Sequence, residues 1–438
     1  FMTGAEMQAD NTNFPDATAN DCKFFYNFDE GTGSTIADSG PGGNNGTWGH
    51  NNGGTAAIWA GAGTFTHNTS TLNFTKSGTA VFNYLNDEDI HNLTIGTGNT
   101  LRLECLNDSG GRLDIFGTLN MTGTKITTGV TSGNSTISFS GTGDRTNVIN
   151  NPSTALADLF RVSMLQSSDT ITMPAVTLKR LVCNGAGTTL LSGALTVNTG
   201  DLDIQAGTLN TSGSDHALTV TGNTSITGTL TGNGSTINLG SLKIISGGTY
   251  SATSGTTTVS KEADTGGTDF MFHNDGTFTH NDGKFVFDDA GLSSSSNVRC
   301  SSSFYDVELT MGSFSLTSHH NMNVARDFKV TTGTYSDGSN GFTITRDTIV
   351  ENGATLNLSN SSTQTKTLGG LHLKSGSAFR ACKGTTVISN RINGESHLWK
   401  NDGGTFNHNN GTVKFNDNDH SAVKENTFYN VEVESNLG

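Results

Sequence analysis

The sequence is poor in proline, in charged residues and in the residues that favour helices. Only 4 of the 438 residues are proline and 14% are charged, so the chain is not a flexible proline-rich polymer. Long segments of Leu, Ala, Glu and Lys are absent, and few helices are therefore expected. No run of about 18 apolar residues occurs, so insertion into a membrane is not expected.

Cysteines are few and scattered. Their odd number and the absence of any CxxC pair argue against a disulfide framework and against a zinc site, so we expect buried free thiols. No nucleotide-binding, hydrolase or metalloprotease motif is found, and no cofactor is expected. The five cysteines are Cys22, Cys105, Cys183, Cys300 and Cys382.

Positive charge is also scarce. The chain has 24 Lys and Arg against 39 Asp and Glu, which gives a net charge of −15. Such a surface repels nucleic acid, because it offers no cluster of cations for the phosphates. No basic amphipathic helix is found that could hold the chain on a membrane surface. Neither nucleic acid nor a membrane is therefore an expected partner.

Glycine and short alternating triplets are abundant. The 56 glycines exceed the average share of about 7%, and apolar residues alternate in runs that are too short for helices, which predicts strands. Gly207, Gly228 and Gly248 each open a Gly-Thr-apolar triplet, 21 and then 20 residues apart. Such a period is typical of a solenoid. We predict an all-β fold, a parallel β-helix with about 20 residues per coil and about 18 coils.

The first 60 residues lack this period. We expect residues 1–60 to form an attachment or capping segment, and residues 61–438 to form the solenoid. The segment FYNFDEGTG (25–33), followed by ADS (37–39) and GNNGT (43–47), resembles the opening strands of laminin-G-like or concanavalin-A-like domains. The resemblance covers about 25 residues and implies a few jelly-roll-like strands. A short helix is also predicted at Thr154–Phe160, after Pro152.

A longer unit occurs three times, at residues 63–96 (unit 1), 276–312 (unit 2) and 404–438 (unit 3). Each unit contains Gly-Thr-Phe-x-His-Asn, a turn, an alternating strand, a polar loop and a final strand. The chain begins at Phe1 and unit 3 stops at Gly438, which is compatible with a longer protein. The repeated positions are Gly63, Phe65 and His67 in unit 1, Gly276, Phe278 and His280 in unit 2, and Gly404, Phe406 and His408 in unit 3.

The sequence contains few candidates for catalytic or metal-binding residues. Asp201 and Asp203 are predicted to share one face of a strand, as a glycosidase pair could. The acidic runs at 87–89 and 288–289 fall in variable loops, where solvated acids are common. The three unit histidines are far apart in sequence and are expected to serve turns, with Asn and Gly at positive φ, rather than a metal. The phenylalanines are expected in the core.

The GTFTHN, VxF and TFYNVEV segments, interleaved with coils such as LTVTGNTSITGTL, resemble β-helical structural proteins of tailed phages, particularly marine ones. Similar strings occur in bacterial surface adhesins. The resemblance implies an extracellular or virion location and a non-enzymatic fibre, spike or surface appendage. The expected partners are other virion or surface proteins and cell-surface glycans, with a homo-oligomer such as a trimer as one assembly. A bacterial adhesin or filament subunit is the alternative, and a polysaccharide depolymerase is a third hypothesis.

Overall fold

The computed structural model describes the chain from residue 71 to 434, apart from short gaps, and a few earlier residues. The strands are parallel and stack into a β-solenoid of about 15 turns, about 21 residues apart, after a non-repetitive N-terminal segment. The predicted all-β solenoid is confirmed, and the described ranges contain no helix. The described ranges are 35–36, 46–49, 58–59, 69, 71–74, 78–84, 87–105, 111–121, 125–128, 136–150, 161–263, 269–359, 364–416, 422–424 and 427–434.

The strands are short and follow one another closely along the chain. Those before residue 165 are β1 (Thr35–Ile36), β2 (Gly46–Gly49), β3 (Ile58–Trp59), β4 (Thr71–Phe74), β5 (Gly78–Tyr84), β6 (Glu88–Ile90), β7 (Asn92–Ile95), β8 (Asn99–Cys105), β9 (Arg112–Ile115), β10 (Leu119–Met121), β11 (Lys125–Thr128), β12 (Thr136–Phe139), β13 (Ile149–Asn150) and β14 (Arg161–Met164). The middle strands are β15 (Thr170–Met173), β16 (Val176–Leu178), β17 (Leu181–Cys183), β18 (Thr188–Leu191), β19 (Leu195–Val197), β20 (Leu202–Ile204), β21 (Thr208–Asn210), β22 (Leu218–Ile226), β23 (Thr229–Thr231), β24 (Ile237–Ile244), β25 (Thr249–Ser251), β26 (Thr256–Val259), β27 (Phe270–Asn274), β28 (Thr277–Thr279), β29 (Lys284–Asp288) and β30 (Ser296–Arg299). The last strands are β31 (Asp306–Ser318), β32 (Met322–Val324), β33 (Phe328–Ser336), β34 (Phe342–Ile344), β35 (Asp347–Val350), β36 (Thr355–Asn357), β37 (Thr365–Leu368), β38 (Gly370–Leu373), β39 (Ala378–Arg380), β40 (Thr385–Ile388), β41 (His397–Asn401), β42 (Thr405–Asn407), β43 (Thr412–Asn416), β44 (Ala422–Lys424) and β45 (Asn430–Glu434).

Successive strands lie on three faces, called here faces 1, 2 and 3. Four long strands, β22, β24, β31 and β33, bend from face 2 to face 3 without a break. Face 1 holds β4, β7, β10, β13, β15, β18, β21, β23, β25, β28, β32, β34, β37, β40, β43 and β45. Face 2 holds β5, β8, β11, β16, β19, β26, β29, β35, β38, β41, β44 and the first parts of the long strands. Face 3 holds β6, β9, β12, β14, β17, β20, β27, β30, β36, β39, β42 and the last parts of the long strands.

The glycine-led triplets stack in register, as their spacing predicts. Leu209, Leu230, Tyr250 and Phe278 pair in that order on face 1, and all four side chains are buried. A Cβ at Gly228 would lie 2.7 Å from the carbonyl oxygen of the preceding glycine in the file. Glycine is required there because the backbone of the turn below already occupies the space of a side chain.

The predicted number of turns was too high, since about 15 are found instead of about 18. Some turns contain long connections between strands. The spacing of about 20 residues per turn, on which the prediction was based, did not allow for them. One connection separates β26, which ends at Val259, from β27, which begins at Phe270. Another separates β40, which ends at Ile388, from β41, which begins at His397. Loops of this kind lengthen a turn without adding a layer to the stack.

The N-terminal strands differ from the solenoid in their pairing. β1, β2 and β3 form a sheet in which neighbouring strands are antiparallel, whereas the solenoid strands pair in parallel. The antiparallel pairing distinguishes these three strands from those of the solenoid. The helix predicted at Thr154–Phe160 lies outside the described residues.

Candidate functional site

The two acidic candidates each have a structural partner. Asp201 precedes β20, and its Oδ1 accepts a hydrogen bond of 2.8 Å from the backbone N–H of Asn223 in the next turn. Asp203 lies within β20, and its Oδ2 accepts a hydrogen bond of 2.5 Å from the side chain of Gln205. The prediction that both acids belong to one strand was wrong for Asp201. Its carboxylate caps the corner between two turns.

The histidines of units 2 and 3 each hold a tight turn. In unit 2, Nδ1 of His280 accepts a hydrogen bond of 3.0 Å from the backbone N–H of Asp282. In unit 3, Nδ1 of His408 accepts one of 3.0 Å from the N–H of Asn410. The residues at positive φ are Asn281 and Asp282 in unit 2, and Asn409 and Asn410 in unit 3. The turn interpretation therefore describes both units. Gly63, Phe65 and His67 of unit 1 lie outside the described residues.

The glycine that closes each turn has a different role from the one predicted. Gly283 and Gly411 are not at positive φ. A Cβ at Gly283 would overlap the carbonyl oxygen of Thr253, and a Cβ at Gly411 would overlap that of Cys382. The adjacent asparagines reach the same lower turn, since Nδ2 of Asn281 donates to the carbonyl oxygen of Ala252 at 2.7 Å. The turn is thus held tightly on the turn below it.

The opening glycines of units 2 and 3 are fixed by a preceding asparagine. The N–H of Gly276 donates to Oδ1 of Asn274 at 3.1 Å, and the N–H of Gly404 donates to Oδ1 of Asn401 at 2.6 Å. The phenylalanines that follow join aromatic clusters. Phe278 is buried in the core, and Phe406 is half-buried against Trp399, with ring centroids 4.8 Å apart.

Sequence reasoning missed the importance of the Phe-Tyr pair before the final strand. Phe304 packs against the ring of Phe278 with centroids 5.3 Å apart. Its equivalent in unit 3, Phe428, packs against Phe406 at 5.6 Å. The tyrosines that follow stack on the unit histidines. A Phe-Tyr dipeptide in two aligned units was the available signal.

Each unit is one turn closed by its own first and last long strands. In unit 1, β4 pairs with β7. In unit 2, β29 pairs with the first part of β31. In unit 3, β43 pairs with β45. All three pairings are parallel, so the polar loop of each unit is the excursion that separates two stacked strands.

Equivalent strands of units 2 and 3 lie on different faces. The Gly-Thr-Phe strand of unit 2 is β28 on face 1, whereas that of unit 3 is β42 on face 3. The closing pair follows the same shift, because it lies on face 2 in unit 2 and on face 1 in unit 3. The loops of units 2 and 3 therefore project from different sides of the solenoid, whereas the closing pair of unit 1 lies on face 1, as in unit 3.

Opposite charges alternate up face 2 above unit 2. Nζ of Lys284 lies 2.9 Å from Oε2 of Glu308, and Nζ of Lys329 lies 3.9 Å from its Oε1 and 3.2 Å from Oε1 of Glu351. Burial opposes the ionisation of Glu308, but hydrogen bonds from Lys284 and Thr331 outweigh it. The pKa of Glu308 is therefore below its ordinary value.

A second ladder runs beside the first at the corner between faces 1 and 2. Nε of Arg326 donates to Oδ1 of Asp306 at 2.7 Å, and Nε of Arg346 donates to Oδ1 of Asp327 at 2.7 Å. The guanidinium of Arg326 also lies 4.7 Å from the ring centroid of Tyr305. Hydrogen bonding to Asp306 raises the pKa of Arg326 above its ordinary value. These charges brace successive turns.

Face 1 carries two columns of hydroxyl and amide side chains where its strands have three residues. β21, β23 and β25 each have one buried central residue between two half-buried polar ones. Because the strands pair in register, the polar residues form columns with a spacing of about 4.8 Å. One column is Thr208, Thr229, Thr249 and Thr277, and the other is Asn210, Thr231, Ser251 and Thr279.

Three of the cysteines are shown to be free and buried, as predicted. They are Cys183, Cys300 and Cys382. Burial raises the pKa of Cys183 to about 12 and that of Cys300 to about 11. In the described part of the chain, no three or more His, Cys, Asp or Glu side chains are grouped to hold a metal ion. No helix there is long and apolar enough to span a membrane.

Comparison with known proteins gave no match to a family model, to a curated protein or to a solved structure.

Proposed function

We propose that this chain is a structural rod of an extracellular or virion surface appendage, such as a fibre or spike of a tailed phage. The observation that carries the proposal is the repeated use of side chains to join one turn to the next in the described part of the solenoid. Hydrophobic files fill the interior, while carboxylates, histidines and arginines on the outside bind the neighbouring turn. About 15 turns at about 4.8 Å each give a length of roughly 70 Å.

The acidic surface supports a role outside the cell or on a particle. A net charge of −15 keeps such rods soluble and separate from one another. A bacterial adhesin or filament subunit would use the same mechanical properties, and it remains the alternative. A phage appendage would be carried by the virion, whereas an adhesin or filament subunit would be carried by the bacterial surface. Mass spectrometry of purified virions and of bacterial surface fractions would distinguish the two.

The hydroxyl columns of face 1 are the proposed contact for host surface glycans. Threonine and asparagine side chains at regular spacing offer donors and acceptors to the hydroxyl groups of a polysaccharide. The strands that carry these columns are braced by the core, so the columns are held in place before binding. The proposed partner is a neutral or weakly charged glycan, because strongly acidic glycans would be repelled by the acidic chain.

A glycan array and binding to host cells test this proposal. The variant Thr229→Val/Thr231→Val/Thr249→Val should lose binding while its unfolding temperature changes little, since valine favours strands. The matched control is Thr219→Val/Thr258→Val on face 2, which should bind as wild type does. Absence of glycan binding by the wild type would contradict the glycan contact. Release of reducing ends from host polysaccharide would contradict the non-enzymatic role.

A further inference from the structure

Asparagine followed by glycine is a dipeptide that can lose ammonia spontaneously. The backbone nitrogen of the glycine attacks the side-chain carbonyl carbon of the asparagine, because glycine has no Cβ to hinder the approach. A hydrogen bond from the same glycine N–H to another part of the fold opposes the attack. The described part of the chain contains this dipeptide at Asn184, Asn233, Asn340, Asn352, Asn393 and Asn410.

All but one of these glycines use their N–H to hold a turn in place. The acceptor is a backbone carbonyl oxygen in three cases and a side-chain oxygen of the preceding turn in two. The bonds run from Gly185 to Met164 (2.9 Å), from Gly353 to Gly376 (3.2 Å), from Gly411 to His408 (2.9 Å), from Gly234 to Oδ1 of Asp215 (2.7 Å) and from Gly341 to Oδ1 of Asn321 (2.7 Å).

The exception is Gly394, in the loop between β40 and β41. Among the described residues, its N–H has no hydrogen-bond acceptor. Asn393 and Gly394 are both exposed, and a Cβ at Gly394 would meet nothing within 4 Å. The nitrogen that must attack is therefore free, and the side chain of Asn393 has room to reach it.

Asn352 provides a close structural match that differs in this bond. Asn352 is also exposed, and Gly353 has a φ of 78° where Gly394 has one of 80°. Both dipeptides form the centre of a turn, closed by N–H of Ala354 to the carbonyl of Glu351 at 3.0 Å and by N–H of Glu395 to that of Ile392 at 2.9 Å. Exposure and turn geometry are thus shared, and the engaged N–H of Gly353 is the difference.

We propose that Asn393 is a site of spontaneous deamidation in the folded chain. The nitrogen of Gly394 forms a bond to Cγ of Asn393, and the bond from Cγ to Nδ2 breaks. The proton of the attacking N–H leaves with Nδ2 as ammonia, and a cyclic imide remains. Water then opens the ring at either carbonyl, which gives aspartate or isoaspartate at position 393. No oxidant or reductant is required.

The product carries a new acid beside a buried carboxylate. The N–H of Asn393 donates to Oδ1 of Asp347 at 3.0 Å, and burial already disfavours the ionised form of Asp347. Each event adds a negative charge to this loop. Isoaspartate also lengthens the backbone between positions 393 and 394. The modified protein is therefore a more acidic form, which isoelectric focusing separates from the original.

Incubation of the full chain in mildly alkaline buffer tests the proposal. Peptides are analysed by mass spectrometry at intervals, and for each site the rate in the folded chain is divided by the rate in the urea-unfolded chain. This ratio should be about three- to tenfold higher for Asn393 than for Asn352, because the hydrogen bond of Gly353 must break before attack. Equal ratios for the two sites, or an unchanged Asn393 while another asparagine reacts, overturn the proposal.

A pair of variants locates the reaction independently of the peptide analysis. Asn393→Gln should remove the acidic form that accumulates early, since a glutamine side chain must close a larger ring. Asn352→Gln is the matched control and should leave that form unchanged. Both positions are exposed, and thermal unfolding confirms that the variants fold. Accumulation of the acidic form at the wild-type rate in Asn393→Gln places the reaction elsewhere and contradicts the proposal.

Discussion

Nζ of Lys366 lies 2.8 Å from Oδ2 of Asp337, and neither side chain is exposed to solvent. The ammonium also donates to the carbonyl oxygen of Asn340 and to Oε1 of Gln364. The other carboxylate oxygen, Oδ1 of Asp337, accepts backbone N–H groups, including that of Ser359 at 2.9 Å. The pair lies at an inward position, where other turns have apolar or threonine side chains. It joins two turns through charges that water does not screen.

Replacing one member of this pair should destabilise the solenoid strongly. Lys366→Met leaves a buried carboxylate without its cation, and we expect a loss of about 3–5 kcal/mol in unfolding free energy. Chemical denaturation followed by circular dichroism measures the change. Lys366→Met/Asp337→Asn keeps an acceptor for the backbone groups and removes the charge, so it should recover part of the loss.

The surface pair between Lys284 and Glu308 provides the control for Lys366. Its lysine side chain is 45% exposed, and exposed pairs contribute about 0–1 kcal/mol. Lys284→Met should therefore cost much less than Lys366→Met. Equal losses from the two variants would contradict the burial of the Lys366 pair.

The turn glycine of unit 2 should not tolerate a side chain. A Cβ in Gly283→Ala overlaps the carbonyl oxygen of Thr253, so the two turns must separate, and we expect a loss above about 1 kcal/mol. Gly213 is a matched control, because a Cβ there meets nothing within 4 Å. Gly213→Ala should stay within about 0.5 kcal/mol of wild type. Similar unfolding midpoints for both variants would show that the backbone contact is unimportant.

Acid should remove the stabilisation that Glu308 provides. Its pKa is lower in the folded state, so the stabilisation is complete above the unfolded value of about 4.3 and is lost as the pH falls through the folded value. Glu308→Gln should be less stable than wild type at neutral pH, and the difference should shrink below about pH 4.3. The midpoints of urea unfolding of both proteins across this pH range measure the difference in stability.

Replacing Asp347 should change the stability with the opposite dependence on pH. Burial raises its pKa, so its ionisation at neutral pH lowers the stability of the folded state. Asp347→Asn keeps an oxygen for the N–H of Asn393, which lies 3.0 Å from Oδ1. Relative to wild type, this variant should gain stability as the pH rises through the carboxyl range. A parallel response of the Glu308 and Asp347 variants would contradict the assigned shifts.

The buried thiols should be unreactive in the native protein. Burial raises the pKa of Cys183 to about 12, so little thiolate forms near neutral pH, and reagents cannot reach the sulfur. We expect Cys183 and Cys300 to react with a disulfide reagent only after denaturation. Mass spectrometry of labelled peptides identifies the reacting cysteine. Rapid labelling of either residue in the folded chain would contradict the packing.

Much of the fold could be predicted from the sequence because a solenoid repeats one local pattern. The spacing of Gly207, Gly228 and Gly248 predicted the stacking of their triplets, since only glycine permits such close backbones. The contacts of the candidate site could be predicted less completely from the sequence. The histidine turns followed from the residues present, but the stacking of His280 on Tyr305 joins residues from successive turns. The role of Asp201 as a cap also depends on a neighbour in another turn.

The sequence by itself determined that the chain forms short parallel strands with an apolar interior and glycine corners, because alternation and spacing are local properties. It also determined the three units, since each begins with the same Gly-Thr-Phe-x-His-Asn pattern. Only the tertiary structure decided the face on which each unit lies, because that depends on the summed lengths of all preceding connections. It likewise decided the partners of each charge, since Lys366 and Asp337 meet only when two turns are stacked.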